Sequence, residues 1–452
     1  MDVALRLPAS PAAVPAPAGR ITLSAAEEFC SQVRSKSTLP LESAFVLQGG
    51  KNFVRRRVAI GGTRSSARER AMSVSCSSNG GASASLPEKR VLVGCGGAAL
   101  DFLASVAKFP QPDDKIRSTE LQVQGGGNVG NALTAAARLG LECRIFTKVA
   151  NDGPGSQILA ELQSDGVDVS NVVVAEEGVS PFTYVIVDQE TSTRTCIHTP
   201  GSPPLQPHEL TPGIIDSLLD RADLVYFDGR LAETALLLAA EASKRQLPML
   251  IDAERPREGL DDLLAYATYV VSSAKFPQTW TSAPTVAEAL LQMLVRLPRL
   301  KFVIVTLGAS GCIMLERHTP DSTEAGMEDD AVEVNELLES LTRQAGELRD
   351  SHPTAVSSKV RRLSSADSSD GQQQIWGRFH VGTAEVIPAS ELVDTTGAGD
   401  GFIGGVMFAI LAGLSPQKLL ALGATVGAGS CRALGARPGL PTRMDSKVVA
   451  LL

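Results

Sequence analysis

From residue 90 to residue 308 the sequence keeps one rhythm, in which short apolar runs alternate with stretches of helix length. "RVLVGCG", "CRIFTKVA", "DLVYFD", "PMLIDA", "ATYVV" and "KFVIVTLG" read as strands, and residues 129–139, 231–246 and 285–296 carry helical spacing. Short apolar strands separated by helices indicate parallel strands covered on both faces. The fold class is therefore α/β, a doubly wound, mainly parallel sheet flanked by helices. Two stretches break the rhythm, at about 112–124 and 182–200, the second containing "FTYVIVDQETSTRTCIH". They read as extended segments with a turn, either a small β-lid beside the main sheet or an ordinary edge hairpin. In the second, Phe182, Tyr184 and Ile186 alternate with Thr183, Val185 and Val187, so both faces carry apolar side chains. A sheet of that kind must bury its second side against something.

With 452 residues, 43% of them hydrophobic, the chain has material for one large core or two modest ones. A net charge of -8 argues against general binding to nucleic acid or to a membrane surface. No apolar run reaches the roughly 18 residues that a membrane span needs. Seven scattered cysteines without a C-x-x-C pair suggest a reducing compartment rather than a zinc site or a disulfide framework.

The charge is unevenly spread. Residues 1–87 hold eleven Lys/Arg against five Asp/Glu, whereas the remainder holds 31 against 45. This leader is rich in Ala, Ser, Pro and Arg. It reads as an organelle transit peptide or as a plain disordered tail. The Ser-rich "MSVSCSS" favours the chloroplast stroma over the mitochondrion or cytoplasm. Residues 319–374 form a second low-complexity stretch, with one helix expected in "AVEVNELLESLTRQAGEL" and the rest polar and mobile. It reads as an insertion in a surface loop, a passive spacer unless its serines are phosphorylated. The folded domain is expected over 88–445, with 446–452 as a tail.

Four patterns carry chemistry. In "DTTGAGDGFIGG", residues 394–405, a helix begins within a glycine loop. First-turn amides have no partners inside a helix, and the helix dipole adds positive character. Gly397, Ala398 and Gly399 can therefore collect the negative charge of a phosphate. Beside such an anion Asp400 makes sense as the base that takes a proton from an attacking hydroxyl. Otherwise it is a helix cap. In "GGGNVGNALTAAARLG", residues 125–140, Gly127 precedes Asn128 and Asn131. The two amides either cap the helix or bond sugar hydroxyls. Asp101, just after the first strand, faces the usual ligand crevice and can accept two hydroxyl protons from a polyol. "VIVTLGASG", residues 303–311, runs from a strand into a glycine turn that suits a nucleotide.

In this order the four patterns resemble the pfkB/ribokinase family of small-molecule kinases, over roughly residues 88–445 without the insertion. Gly126, Gly127, Asn128 and Asn131, then Asp228-Gly229-Arg230, then Glu254, Pro256, Arg257 and Glu258 look most like its ketohexokinase members. The resemblance implies a ribokinase-like fold with a β-lid, and ATP with Mg²⁺ as cofactors. Asp101, Gly127, Asn128 and Asn131 would bind the sugar, and Arg194 would reach the nucleotide phosphates. Thr306, Gly308 and Gly311 would line the adenine and ribose side. Gly397, Ala398 and Gly399 would form the anion hole and Asp400 would be the base. Residues 434–442 resemble the place where ribokinases bind K⁺. Lids clasped between two subunits would make a homodimer. The sequence departs from the family where many members carry N-x-x-E to orient magnesium. Here Ser272, Ser273 and Lys275 stand without a carboxylate, so the metal ligands are unknown. The expected activity is ATP-dependent transfer to a hydroxyl of a small sugar, fructose- or ribose-like. A nucleoside kinase of the same fold and a fructokinase-like scaffold of a plastid transcription complex are the alternatives.

Overall fold

The computed structural model describes residues 90–191, 193–319, 328–364 and 375–452. The expected leader, and residues 320–327 and 365–374 of the expected insertion, lie outside the described residues. The strands, in chain order, begin with β1 (Val91–Cys95), β2 (Ala99–Val106), β3 (Glu120–Gly126), β4 (Glu142–Phe146), β5 (Lys148–Ala150) and β6 (Val167–Asp168). They continue with β7 (Val173–Ala175), β8 (Phe182–Asp188), β9 (Thr193–Thr199), β10 (Ala222–Phe227), β11 (Met249–Ala253) and β12 (Tyr269–Ser273). The last are β13 (Phe302–Thr306), β14 (Cys312–His318), β15 (Glu328–Glu333), β16 (Ala355–Ser357), β17 (Arg361–Ser364) and β18 (Ile375–Gly382).

A 12-stranded sheet runs β15-β17-β18-β14-β13-β12-β11-β10-β1-β4-β6, with β16 also paired to β18. From β13 to β6 all pairs are parallel, whereas β14 and β18 add to the edge antiparallel. Alternation along each strand splits the core in two. Leu92, Leu224, Leu250 and Ile304 point to the face covered by helices Asn128–Arg138 and Ala398–Leu411. Val93, Val225, Ile251 and Val303 point to the face covered by helices Ala232–Lys244 and Val286–Arg296. Both faces are dry, which is why these strands read as continuous apolar runs. After β1 the chain builds outward to β4 and β6, then returns to the other side of β1 with β10. The crevice at such a reversal, beyond the carboxyl ends of the strands, is where α/β sheets hold ligands.

The lid is a separate four-stranded sheet, ordered β3-β2-β8-β9. Sequence reading missed β2, because its residues follow β1 after only a glycine turn and look like that strand's exit. Asp101 therefore lies within a lid strand, not just after the first strand of the main sheet. The expected insertion also departs from its reading. The helix forms at Val334–Glu347, with Val334, Leu338, Leu341 and Ala345 buried along one side, and Glu333 accepting hydrogen bonds from the amides of Asn335 and Glu336. The rest is not uniformly loose, since β16 and β17 pair with β18. Strands of three and four residues show too little alternation to be read, and here backbone pairing to an apolar neighbour recruits them. At the C-terminus, Ser446–Val449 is a short helix with Val448 buried in the core, so the folded unit runs past residue 445.

Candidate active site

Two helices bring the site together. The Asn128–Arg138 helix starts at Gly127, with no side-chain cap, and the amides of Val129 and Gly130 bond the carbonyl of Gly97. The Ala398–Leu411 helix starts at Gly397, also without a side-chain cap. Neither Asn128 nor Asp400 therefore serves as the cap of its helix. The helices meet closely because residue 404 has no side chain: a Cβ on Gly404 would stand 2.5 Å from the Cβ of Ala135 and 2.7 Å from the carbonyl of Ala132. That approach lets Asn131 donate from Nδ2 to Asp400 Oδ2 at 2.8 Å.

The other end of the Asn131 amide is held as well. Arg437 donates from Nε to Asn131 Oδ1 at 2.9 Å and from Nη2 to the carbonyl of Gly126 at 3.0 Å. A guanidinium has donors only. It therefore fixes the carbonyl end of Asn131 toward itself and the NH₂ end toward Asp400. Arg437 is buried, its Nη1 has no partner among the described residues, and no carboxylate there comes within ion-pair distance of it. Burial pushes the Asp400 carboxyl up to about 7, opposed by the Asn131 hydrogen bond and aided by Glu254, Asp228 and Asp101. A carboxylate poised there can gain and lose a proton near neutrality.

The loop before Asp400 has the form of an anion cradle. Gly397 has a φ of +73°, in the left-handed region, and a Cβ there would meet the Ala436 Cβ at 2.4 Å. Glycine meets both demands at little cost. The amide of Ala398 bonds Thr395 and that of Gly401 bonds Gly397, but those of Gly399 and Asp400 have no partner among the described residues. No atom would stand within 4 Å of a Cβ on Gly399. Asp394 holds the loop, accepting from Thr396 N and Oγ1 and, through its other oxygen, from the amide of Gly435. Arg194 of β9 reaches the same loop, donating from Nη1 to Thr395 Oγ1 at 2.6 Å.

From the lid, Asp101 projects over Gly126, where a Cβ would come within 2.0 Å of its Oδ2. Burial raises its carboxyl to about 6, with Asp394 adding to the rise and Thr183 and Arg437 opposing it. Asp101, Asn131 and Asp400 thus form one electrostatic group. Asn128 lies at its edge, accepting from Arg230 Nη2 at 3.4 Å and bonding Asp252. Asp228 accepts from the amides of Gly97 and Arg230, joining the turns after β1 and β10. Arg230 and Arg257 both reach Glu254, at 3.6 and 2.6 Å. Asp252, at the end of β11, is buried and held well above the usual carboxylate range, by burial first and then by Asp400, Asp228 and Glu254. Thr306, Gly308 and Gly311 stand apart from this group, at the carboxyl end of β13, where Leu307 N bonds the Gly311 carbonyl. Sequence reading missed Arg437 and Asp252. Arg437 had a signal in "LGARPGLPT", an arginine flanked by small and apolar residues, but its partners lie 306 and 311 positions away.

A crevice at the strand reversal, with a carboxyl raised toward neutrality by burial beside amides that can hold an anion, has the parts that a phosphotransferase with an alcohol group as acceptor requires. The chain belongs to the pfkB family of carbohydrate kinases, whose family model matches residues 92–334 and 369–443. It is 24% identical over 355 residues to the ketohexokinase of Mus musculus, spanning 76% of this chain and 97% of that enzyme. Among solved structures it resembles the ribokinase of Thermotoga maritima, with a TM-score of 0.55 and 21% identity over 80% of this chain and 99% of that one. The Arabidopsis thaliana ribokinase complexed with ribose and ATP gives a TM-score of 0.55 at 19% identity, again over 80% and 99%. These likenesses establish the ribokinase-like fold.

Proposed function

We propose that the protein transfers the γ-phosphoryl group of ATP to a hydroxyl of a small free sugar, ketohexose- or ribose-like. The observation that carries this is the chain Arg437–Asn131–Asp400, which aims a carboxylate beside the open amides of Gly399 and Asp400. Asp101 and Asn131 hold acceptor hydroxyls and Asp400 removes the proton of the attacking one. The first-turn amides receive the charge that gathers on the transferring group. Thr306, Gly308 and Gly311 face the nucleoside end of ATP, and Arg194 its phosphates.

Mg²⁺ keeps several waters and usually takes one or two carboxylates besides substrate phosphates. Among the described residues no three His, Cys, Asp or Glu are grouped to cage a metal. Asp252 and Glu254, which act electrostatically on one another and beside Asp400, suit that lighter attachment. The ion would neutralise phosphate charge. Potassium fits less well, because the loop 434–442 already carries the buried cation of Arg437.

A free sugar is favoured over a nucleoside by the lid. Its face toward Asp101 carries Gln124, Thr183 and His198 across the strands. The aromatic rings Phe102, Phe182 and Tyr184 cluster on the opposite face. That opposite face supports a homodimer through the lids, since Leu121, Val123, Tyr184 and Ile197 are between 39% and 64% exposed upon it. The acid-poor leader supports a plastid location, tested by a fluorescent fusion. A panel of sugars and nucleosides with ATP, read by ADP release, tests the activity. Turnover on a sugar is expected. Turnover on nucleosides alone would move the assignment to a nucleoside kinase, and no turnover with co-purification of a transcription complex would favour a scaffold.

A further inference from the structure

The family model passes over residues 335–368, yet part of that stretch is tied to both walls of the nucleotide side. One wall is the turn Gly308–Ser310 after β13, and the other is the run from Thr383 toward the anion loop. They are more than 70 residues apart in sequence. Arg349 donates from Nη2 to the carbonyl of Ala309 at 2.7 Å. The next residue, Asp350, accepts from the amide of Val386 at 3.2 Å. Thr354 and Thr383 exchange three bonds: Thr354 N to Thr383 Oγ1 at 2.9 Å, Thr383 N to the Thr354 carbonyl at 2.8 Å, and Thr383 Oγ1 to the same carbonyl at 3.3 Å. β16 then pairs with β18, and Ser357 Oγ accepts from Gln417 in the first turn of helix Pro416–Ser430.

We propose that Arg349–Ser357 is a working part of the nucleotide site, a brace that sets the separation of its two walls and so governs affinity for a purine nucleoside triphosphate. This rests on the kinase reading above. The chemistry suits a purine. Val386, 46% exposed, presents an apolar surface beside peptide groups that the brace holds in place. A flat heteroaromatic ring needs both, apolar contact for its faces and fixed polar groups at its edge. The contact between Arg349 and Ala309 lies at the surface, and neither residue contributes to the core. The bond orders a long side chain at the surface, and what it fixes is the backbone of the Gly308–Ser310 turn. Arg349 is a positioning residue in this account, because it touches the wall and not the base.

The test uses the full chain, with ATP and then GTP titrated by calorimetry in the presence of Mg²⁺. Arg349→Ala and Thr383→Val are each expected to weaken ATP binding about fivefold to tenfold, the loss of one net hydrogen bond. Arg349→Lys, which can still donate to Ala309, should recover most of that loss. In turnover, KM for ATP should rise while kcat and the sugar KM stay within twofold, and the melting temperature of the arginine variants should be unchanged. ATP affinity within twofold of the parent in both Arg349→Ala and Thr383→Val would overturn the brace while leaving the kinase reading intact. A parent chain that binds no nucleotide would overturn both.

Discussion

Replacing Asn131 with leucine removes the hydrogen bond that keeps the candidate base ionisable. Asn131 Nδ2 donates to Asp400 Oδ2 at 2.8 Å, and the carboxyl stands at about 7 with that bond in place. The donor favours the charged form, so its loss raises the pKa. A hydrogen bond to a charged group contributes about 1.5–3 kcal/mol, which corresponds to roughly 1–2 pH units. Asp400 in Asn131→Leu should then titrate at roughly 8–9. At pH 7 its ionised fraction would fall from about half to roughly 1–10%, and kcat/KM by about fivefold to fiftyfold. The assay is the pH profile of kcat/KM by ADP release with the best sugar. The acid limb, along which activity rises with pH, should shift upward by one to two units, with the loss partly regained at high pH. Arg437 Nε also loses its acceptor, so melting curves must show that the variant is folded at the assay temperature. A limb that stays near pH 7 while the rate falls equally at every pH would refute the reasoning. Asn131 would then act only through the acceptor.

Asp400→Asn should bind ATP normally and lose about 10²–10⁴ in kcat; near-normal turnover would remove Asp400 as the base. Gly404→Ala should lower stability by about 1–3 kcal/mol in urea unfolding and reduce kcat, because the new methyl would press on Ala135 and the carbonyl of Ala132. An unchanged midpoint would mean that the helices separate freely. Replacing Tyr184 and Ile186 together with lysine should turn a dimer into monomers in light scattering and reduce activity. A monomeric parent at every workable concentration would refute the lid-to-lid contact.

The main sheet was readable because β1, β4, β10, β11, β12 and β13 are buried on both sides, so each appears as an unbroken apolar run between helical stretches. β2 and β3 were harder, since one side of each faces the site and carries Asp101 or Gln124, which disturbs the pattern. β16 and β17 were unreadable, being three and four residues long with one core side chain, Leu363, between them. At the site, Asp400 and Asn131 stood out because glycines around them signalled close approach. Their contact across 269 positions did not, nor did Arg437, whose place depends on packing between segments from opposite ends of the domain. A buried cation is specified by the cavity that encloses it, and a linear pattern does not display that cavity.

The lid sheet contains Asp101, whereas Asn131 and Asp400 belong to helices of the main layer. The β2–β3 excursion leaves after β1 and rejoins at helix Asn128–Arg138, and the β8–β9 excursion lies between β7 and the helix Pro212–Leu219 that leads to β10. An acceptor that bonds Asp101 and Asn131 together would therefore tie the lid sheet to the helix Asn128–Arg138 of the main layer. Its hydroxyl pattern becomes a ruler. A polyol whose hydroxyls span the two side chains would stiffen a junction that Arg437 already bridges between Gly126 and Asn131, whereas one that reaches a single side chain would add nothing to it. Selectivity among sugars would then appear in hydrogen exchange along β2 and β3 before it appears in any rate.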